Sequence, residues 1–178
     1  GVGKPHGGFT LDYYAKFFAS KYYWKILGLT LYFGLVSTLF CMVFGYPVAY
    51  RLSRMHGNAR HLFNALTMLP LWVAITVRLF GWMNLMSTNG LINRIALLFS
   101  EKGLVLMGTN TAVLIGLIYC GLPYFIMIMT GPLENIHPSI EEASYVFGAG
   151  KTKTFFTVVV PMTAKAAISG ATVVFALN

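Results

Sequence analysis

From Ile26 to Tyr50 the chain runs for 25 residues without a charge, and no other feature restricts its fold so strongly. A helix rises ~1.5 Å per residue, so about 20 apolar residues cross a hydrocarbon core ~30 Å thick. The run therefore predicts a transmembrane helix. Gly28, Gly34, Gly45 and Pro47 lie inside it, which a buried membrane helix tolerates when its neighbours satisfy the backbone. Gly34 and Thr38 form a small-xxx-small pair suited to face another helix. Tyr22, Tyr23 and Trp24 stand just before the run, where aromatic residues collect at the membrane–water boundary.

Three further segments repeat the pattern. Leu62 to Met86 is a second span interrupted by Arg78, and Thr111 to Gly131 a third, inside a stretch that has no charge from Gly103 to Leu133. Pro161 to Asn178 begins a fourth, but Lys165 leaves only 13 uncharged residues after it. That is too short to cross, so this span is expected to be incomplete and the chain a fragment. A composition 57 % hydrophobic and only 10 % charged places the whole chain in the membrane class. The net charge of +8 is spread through connecting segments, and no basic patch interleaved with aromatics points to nucleic acid. The expected fold is all-α, a polytopic transmembrane helix bundle. Residues 1–25 form an extracytoplasmic or interfacial segment, and residues 26–178 carry spans at 26–50, 62–86, 111–131 and 161–178.

Chemistry-bearing side chains are few. His6, His56, His61 and His137 are scattered without metal-ligand spacing. Cys41 and Cys120 both fall in apolar runs. No catalytic set is evident, and neither a metal nor a cofactor is expected. The spans contain no Asp or Glu, so the acidic relay of many coupled carriers has no carrier here. Arg78 has two readings. It snorkels to the far interface or meets a structural partner, or it faces a translocation path. Pro123, in Gly121-Leu122-Pro123, likewise marks either a packed kink or a helix break lining a cavity. Between these spans, Asn89-Gly90 marks a turn and Leu91–Phe99 a short helix.

Residues 133–160 form the one long segment that mixes acids, bases and small residues. Ser139 and Glu142 stand at capping-box spacing after Pro138, predicting the start of a short helix. Gly148 stops that helix, as glycine does by taking a left-handed backbone conformation cheaply. A second helical run is expected to end near Pro161, giving a helix–turn–helix hairpin between spans. Glu141 and Glu142 read as a capped, solvated first turn. Gly148-Ala-Gly-Lys-Thr152 imitates the end of a phosphate-binding loop, but Tyr145 occupies the place of its first glycine. The preceding residues also read as helix where that loop needs a strand.

Glu142-Ala143-Ser144, Gly148 six residues after the glutamate, and Val158-Val159-Val160-Pro161 together resemble the EAA loop of ABC-importer permeases. Ser144 replaces the second alanine of the pattern, and Val158 and Val160 its isoleucine and leucine. The resemblance is strongest to the spermidine/putrescine-type branch. Thr10-Leu-Asp-Tyr-Tyr14, Gly45-Tyr-Pro-Val-Ala-Tyr-Arg51, Pro70-Leu-Trp72 with Arg78, Gly90-Leu-Ile-Asn93, and Tyr119 with Leu122-Pro123 carry it. His137 departs from the acid often found at its position.

The resemblance implies the fold of a type I ABC-importer permease in the bacterial inner membrane, with no enzymatic activity of its own. It implies a cytoplasmic ATPase, a second permease subunit and an extracytoplasmic substrate-binding protein as partners, besides the bilayer. Glu142, Ala143, Ser144 and Gly148 would couple to the ATPase, and Arg78 and Pro123 would be pathway or structural residues. The implied solute is a polyamine. Another small solute such as an opine or phosphonate is the alternative, and a self-sufficient channel, a secondary transporter or a membrane-embedded enzyme stands further off. Positive charges do not orient the chain, because six lie on each side. The resemblance orients it, placing residues 54–60 and 139–157 in the cytoplasm and 87–102 outside.

Overall fold

The computed structural model describes residues 20–99 and 108–178. Thr10–Tyr14, most of the 1–25 segment and Lys102 lie outside the described residues. Among the described residues there are helices and no strands. Helix α1 spans Lys21–Ser53, α2 Asn58–Trp72, α3 Ile75–Met86, α4 Leu91–Phe99, α5 Asn110–Glu134 and α6 Pro138–Val146. Helix α7 spans Lys151–Leu177. Three of them, α1, α5 and α7, are each long and apolar enough to cross a membrane. The chain α2–α3–α4, bent by more than 40°, supplies a fourth if it counts as one span.

The core is where those three helices meet. Cys41 and Ala49 of α1, Phe125, Met129 and Leu133 of α5, and Val159 and Val174 of α7 are fully buried. Small residues let the backbones approach, since lipid offers no hydrophobic drive and packing must hold the helices together. A Cβ on Gly34 would lie 2.9 Å from the Phe175 ring, and Thr38 one turn on is buried. The Gly34–Thr38 pair thus faces α7 of its own chain. Cys41 meets the Ile118 carbonyl at 3.6 Å, and Arg54 the Ile136 carbonyl at 2.9 Å. Position numbers rise together along α1 and α5, so these two helices run parallel. Tyr46 meets Val159 and Gly34 meets Phe175, so α7 runs antiparallel to them. On the outer face Leu35, Leu39 and Val43 stay exposed, as a lipid-facing stripe should.

Two expected boundaries change. The 62–86 span is not one helix, because Val73 and Ala74 take extended backbone with ψ of 128° and 137°. Val73, Ile75, Thr76 and Val77 are β-branched and poor at holding a helix through a weak point. Pro70 removes one hydrogen bond of the preceding turn. The second correction is that the helix begun at Lys151 does not end near Pro161 but continues to Leu177. Residues Phe155–Val159 form a π-helical segment within it. Proline clashes with the carbonyl four residues earlier, here Thr157, and the wider π turn lies at that place. The last span therefore starts ten residues before its expected position. The turn at Asn89-Gly90 and the short helix Leu91–Phe99 are present as expected.

Candidate functional site

Helix α6 and its two connections form a hairpin at the end of the bundle where α1 and α5 finish and α7 begins. Its N-terminus differs from the capping box expected from Ser139 and Glu142. His137 is the N-cap, and its Nδ1 accepts the backbone N–H of Ser139 at 3.3 Å and lies 2.8 Å from the Ser139 hydroxyl. Pro138 takes the first helical position, where its missing N–H costs nothing. At the other end Gly148 has φ of +79°. Its N–H donates to the Tyr145 carbonyl at 2.9 Å, and the Ala149 N–H to the Ser144 carbonyl at 3.1 Å. That pair of bonds is a Schellman motif, and glycine enters its left-handed position without Cβ strain.

The residues expected to couple to an ATPase divide in two. Glu142, Ala143 and Gly148 are exposed. Ser144 turns inward, its hydroxyl 3.0 Å from that of the buried Thr154 at the start of α7. Beside the exposed group, Val146 and Phe147 are 86 % and 90 % exposed. Together they form an uncovered apolar tip at this end of the bundle.

Glu141 overturns the solvated reading of the first turn. It is buried and forms an ion pair with Arg54, the residue that caps α1. Its second carboxylate oxygen accepts from the Tyr50 hydroxyl at 2.7 Å. The Arg54 guanidinium lies 5.7 Å from the Tyr50 ring centroid and also donates to the Ile136 carbonyl. A second ion pair joins Arg60 to Glu134. Phe155 packs edge-on against Tyr46 and Tyr50 with ring centroids 5.3 and 5.1 Å apart. Tyr46 in turn bonds the Val159 carbonyl and Thr163. No local sequence feature singled this cluster out, since the partners of Glu141 lie 87 and 91 residues away.

Arg78 and Pro123 lie elsewhere. Arg78 is on α3, with Nε and Nη1 buried and without a hydrogen-bond partner among the described residues. Pro123 is buried within an unbroken α5. Two residues earlier, a Cβ on Gly121 would lie 2.8 Å from Val174 and 3.2 Å from Cys41. This part of α5 is packed against α1 and α7. The Gly148–Thr152 segment follows a helix and opens another, which is not the strand–loop–helix of a phosphate-binding site. No group of three or more metal-ligating side chains occurs among the described residues.

Apolar spans packed through small residues, with a short capped helix at one end, define a multi-pass membrane protein. The family of binding-protein-dependent transport system inner membrane components matches residues 24–178, and the chain belongs to it. It is 32 % identical over 164 residues to the spermidine/putrescine transport system permease protein PotB of Escherichia coli, covering 91 % of this chain and 59 % of that protein. The PotB of Salmonella typhimurium is likewise 32 % identical, over 91 % of this chain and 57 % of its own length. The chain thus spans less than two thirds of these curated relatives. In three dimensions it is similar to a bacterial ABC transporter involved in the import of the acidic polysaccharide alginate. The TM-score is 0.78 at 15 % identity, over 96 % of this chain and 61 % of that one. The protein is a multi-pass component of the inner membrane.

Proposed function

We propose that the chain is the membrane-spanning part of a permease subunit in an ATP-driven importer, and that its solute is a polyamine such as spermidine or putrescine. The observation that carries the importer reading is the exposed end of α6, where Val146 and Phe147 are open beside Glu142, Ala143 and Gly148. A short amphipathic helix with an uncovered apolar tip fits helix-in-groove docking, here into a cleft of a separate cytoplasmic ATPase. Glu142, Ala143 and Gly148 touch that partner, and Ser144 holds the hairpin to α7. A second permease subunit covers further apolar surface, and a substrate-binding protein delivers the solute from outside. ATP hydrolysis belongs to the partner. Differential docking in its open and closed states drives the spans between two openings. The polyamine reading rests on the names of the 32 % identical relatives. Arg78 and Pro123 have structural roles in it, Pro123 in the packed core.

The test is uptake of labelled putrescine by proteoliposomes holding the full-length protein with its ATPase, second permease and binding protein. ATP-dependent uptake that excess spermidine suppresses is the expected result. Uptake of another solute without competition from either polyamine would refute the substrate and leave the importer standing. Failure of the ATPase to co-purify would refute both.

A further inference from the structure

The Tyr50–Arg54–Glu141 cluster has a mechanical consequence. Glu141 and Arg54 are 87 residues apart in sequence, and their pair joins the first turn of α6 to the end of α1. Arg54 also grips the Ile136 carbonyl at 2.9 Å, in the link that leads into α6. Tyr50, one turn back on α1, holds the other carboxylate oxygen at 2.7 Å. The far end of α6 is tied separately, by Ser144 to Thr154 at the start of α7, and α7 is held to α1 by Phe155, which packs edge-on against Tyr46 and Tyr50. Both ties converge on the last turns of α1. That helix is 33 residues long and unbroken, about 50 Å at ~1.5 Å per residue, whereas the α2–α3 segment is broken at Val73–Ala74.

We propose that Arg54 and Glu141, with Tyr50, are positioning residues that lock α6 onto the end of α1, so that displacement of α6 moves α1 as a rigid lever. The proposal rests on the reading of α6 as the ATPase-docking helix for its functional meaning, though not for its geometry. A buried carboxylate with both oxygens engaged holds direction as well as distance, because a buried charge is tolerated only while paired and hydrogen-bonded. Without it α6 reaches α1 only indirectly, through the Ser144–Thr154 bond to α7 and the Phe155 contacts, and part of its motion is spent in bending its two links.

The test uses the full-length permease co-expressed with its ATPase and reconstituted in lipid. Spin labels on cysteines replacing His56 and Ser139, both exposed, report how tightly α6 is held against the end of α1. Arg54→Glu and Glu141→Arg should each broaden that distance distribution. ATPase co-purification should persist while solute moved per ATP hydrolysed falls about tenfold. The double reversal Arg54→Glu with Glu141→Arg should restore a narrow distribution and most of the coupling. Tyr50→Phe is the mild variant if the charge reversals fail to insert, and it should broaden the distribution by less. Narrow distributions in the single variants, or unchanged coupling beside broadened ones, would overturn the lever. If the wild-type chain does not hold an ATPase, the docking reading fails, and the spin-label distances still decide whether the cluster locks α6.

Discussion

Glu141 and Glu142 are adjacent residues about 100° apart around one helix, and that angle sends one carboxylate into the Arg54–Tyr50 cluster and the other to solvent. Their alanine variants should therefore differ sharply. Glu141→Ala leaves the partly buried Arg54 guanidinium without its counter-ion, a loss of about 1–3 kcal/mol. Glu142→Ala removes an exposed group with no bond among the described residues and should stay within roughly 0.5 kcal/mol. Thermal unfolding of the purified full-length protein in detergent compares them, and equal midpoints would mean that the Glu141 pair contributes nothing. Gly148 is a backbone case. At φ of +79° a valine would be strained by roughly 1–2 kcal/mol, although a Cβ there meets no atom within 4 Å. Gly148→Val should leave insertion intact, since the spans insert on their own hydrophobicity, and weaken ATPase co-purification by displacing Phe147. Full association would show the turn to be only a connector. Gly148 was legible in the sequence because its requirement is local. Glu141 was not, because its partners lie 87 and 91 residues away and nothing near it in sequence betrays them. His137 escaped notice as a cap because histidine is an uncommon choice beside the serine two residues on.

At the scale of elements, the hairpin and the last span are one mechanical piece. The helix from Lys151 passes Pro161 through the π segment Phe155–Val159, so nothing loosens α6 from α7 except the Phe147–Gly150 turn. Across that turn Ser144 and Thr154 share a hydrogen bond at 3.0 Å. Thr154→Val keeps the shape, removes the partner and should cost about 1 kcal/mol. Amide hydrogen exchange through Ala149–Thr154 should speed up while the core of α5 is unaffected, and unchanged exchange would deny the latch a role. Apolar run length located α1 and α5 well, because each helix extends only a few residues beyond the uncharged core. The same reasoning failed for α2–α3, where the run of β-branched residues and Pro70 decides continuity while hydrophobicity continues across the break. It failed at Pro161 too, since a proline reads as a stop unless the compensating π turn is known.

The whole molecule is polarised by its connections. The α1–α2 link, the end of α5 and all of α6 gather at one end, tied by Arg54–Glu141, Arg54–Ile136 and Arg60–Glu134. Helix α3 packs toward the opposite end. Leu79, Trp82 and Met86 share a cavity of about 490 Å³ with Gly108, Ala112, Leu177 and Asn178, and Trp82 meets Tyr119 edge-on at 5.0 Å. Gly108 and Ala112 mark the start of α5 and Leu177 the end of α7, so the turn after Met86 belongs to the end away from the hairpin. Positive charges alone could not have said which end faces the cytoplasm, because the two sides balance. The proposed docking of α6 onto an ATPase would put the hairpin end in the cytoplasm. Cysteines replacing His56 and Asn89, in a full-length protein lacking Cys41 and Cys120, test this directly. A membrane-impermeant thiol reagent applied to right-side-out vesicles should modify position 89 and spare position 56, and inverted vesicles should reverse the result. Modification of both from one side would mean that the α2–α3 segment does not cross but turns back within the bilayer at Val73–Ala74.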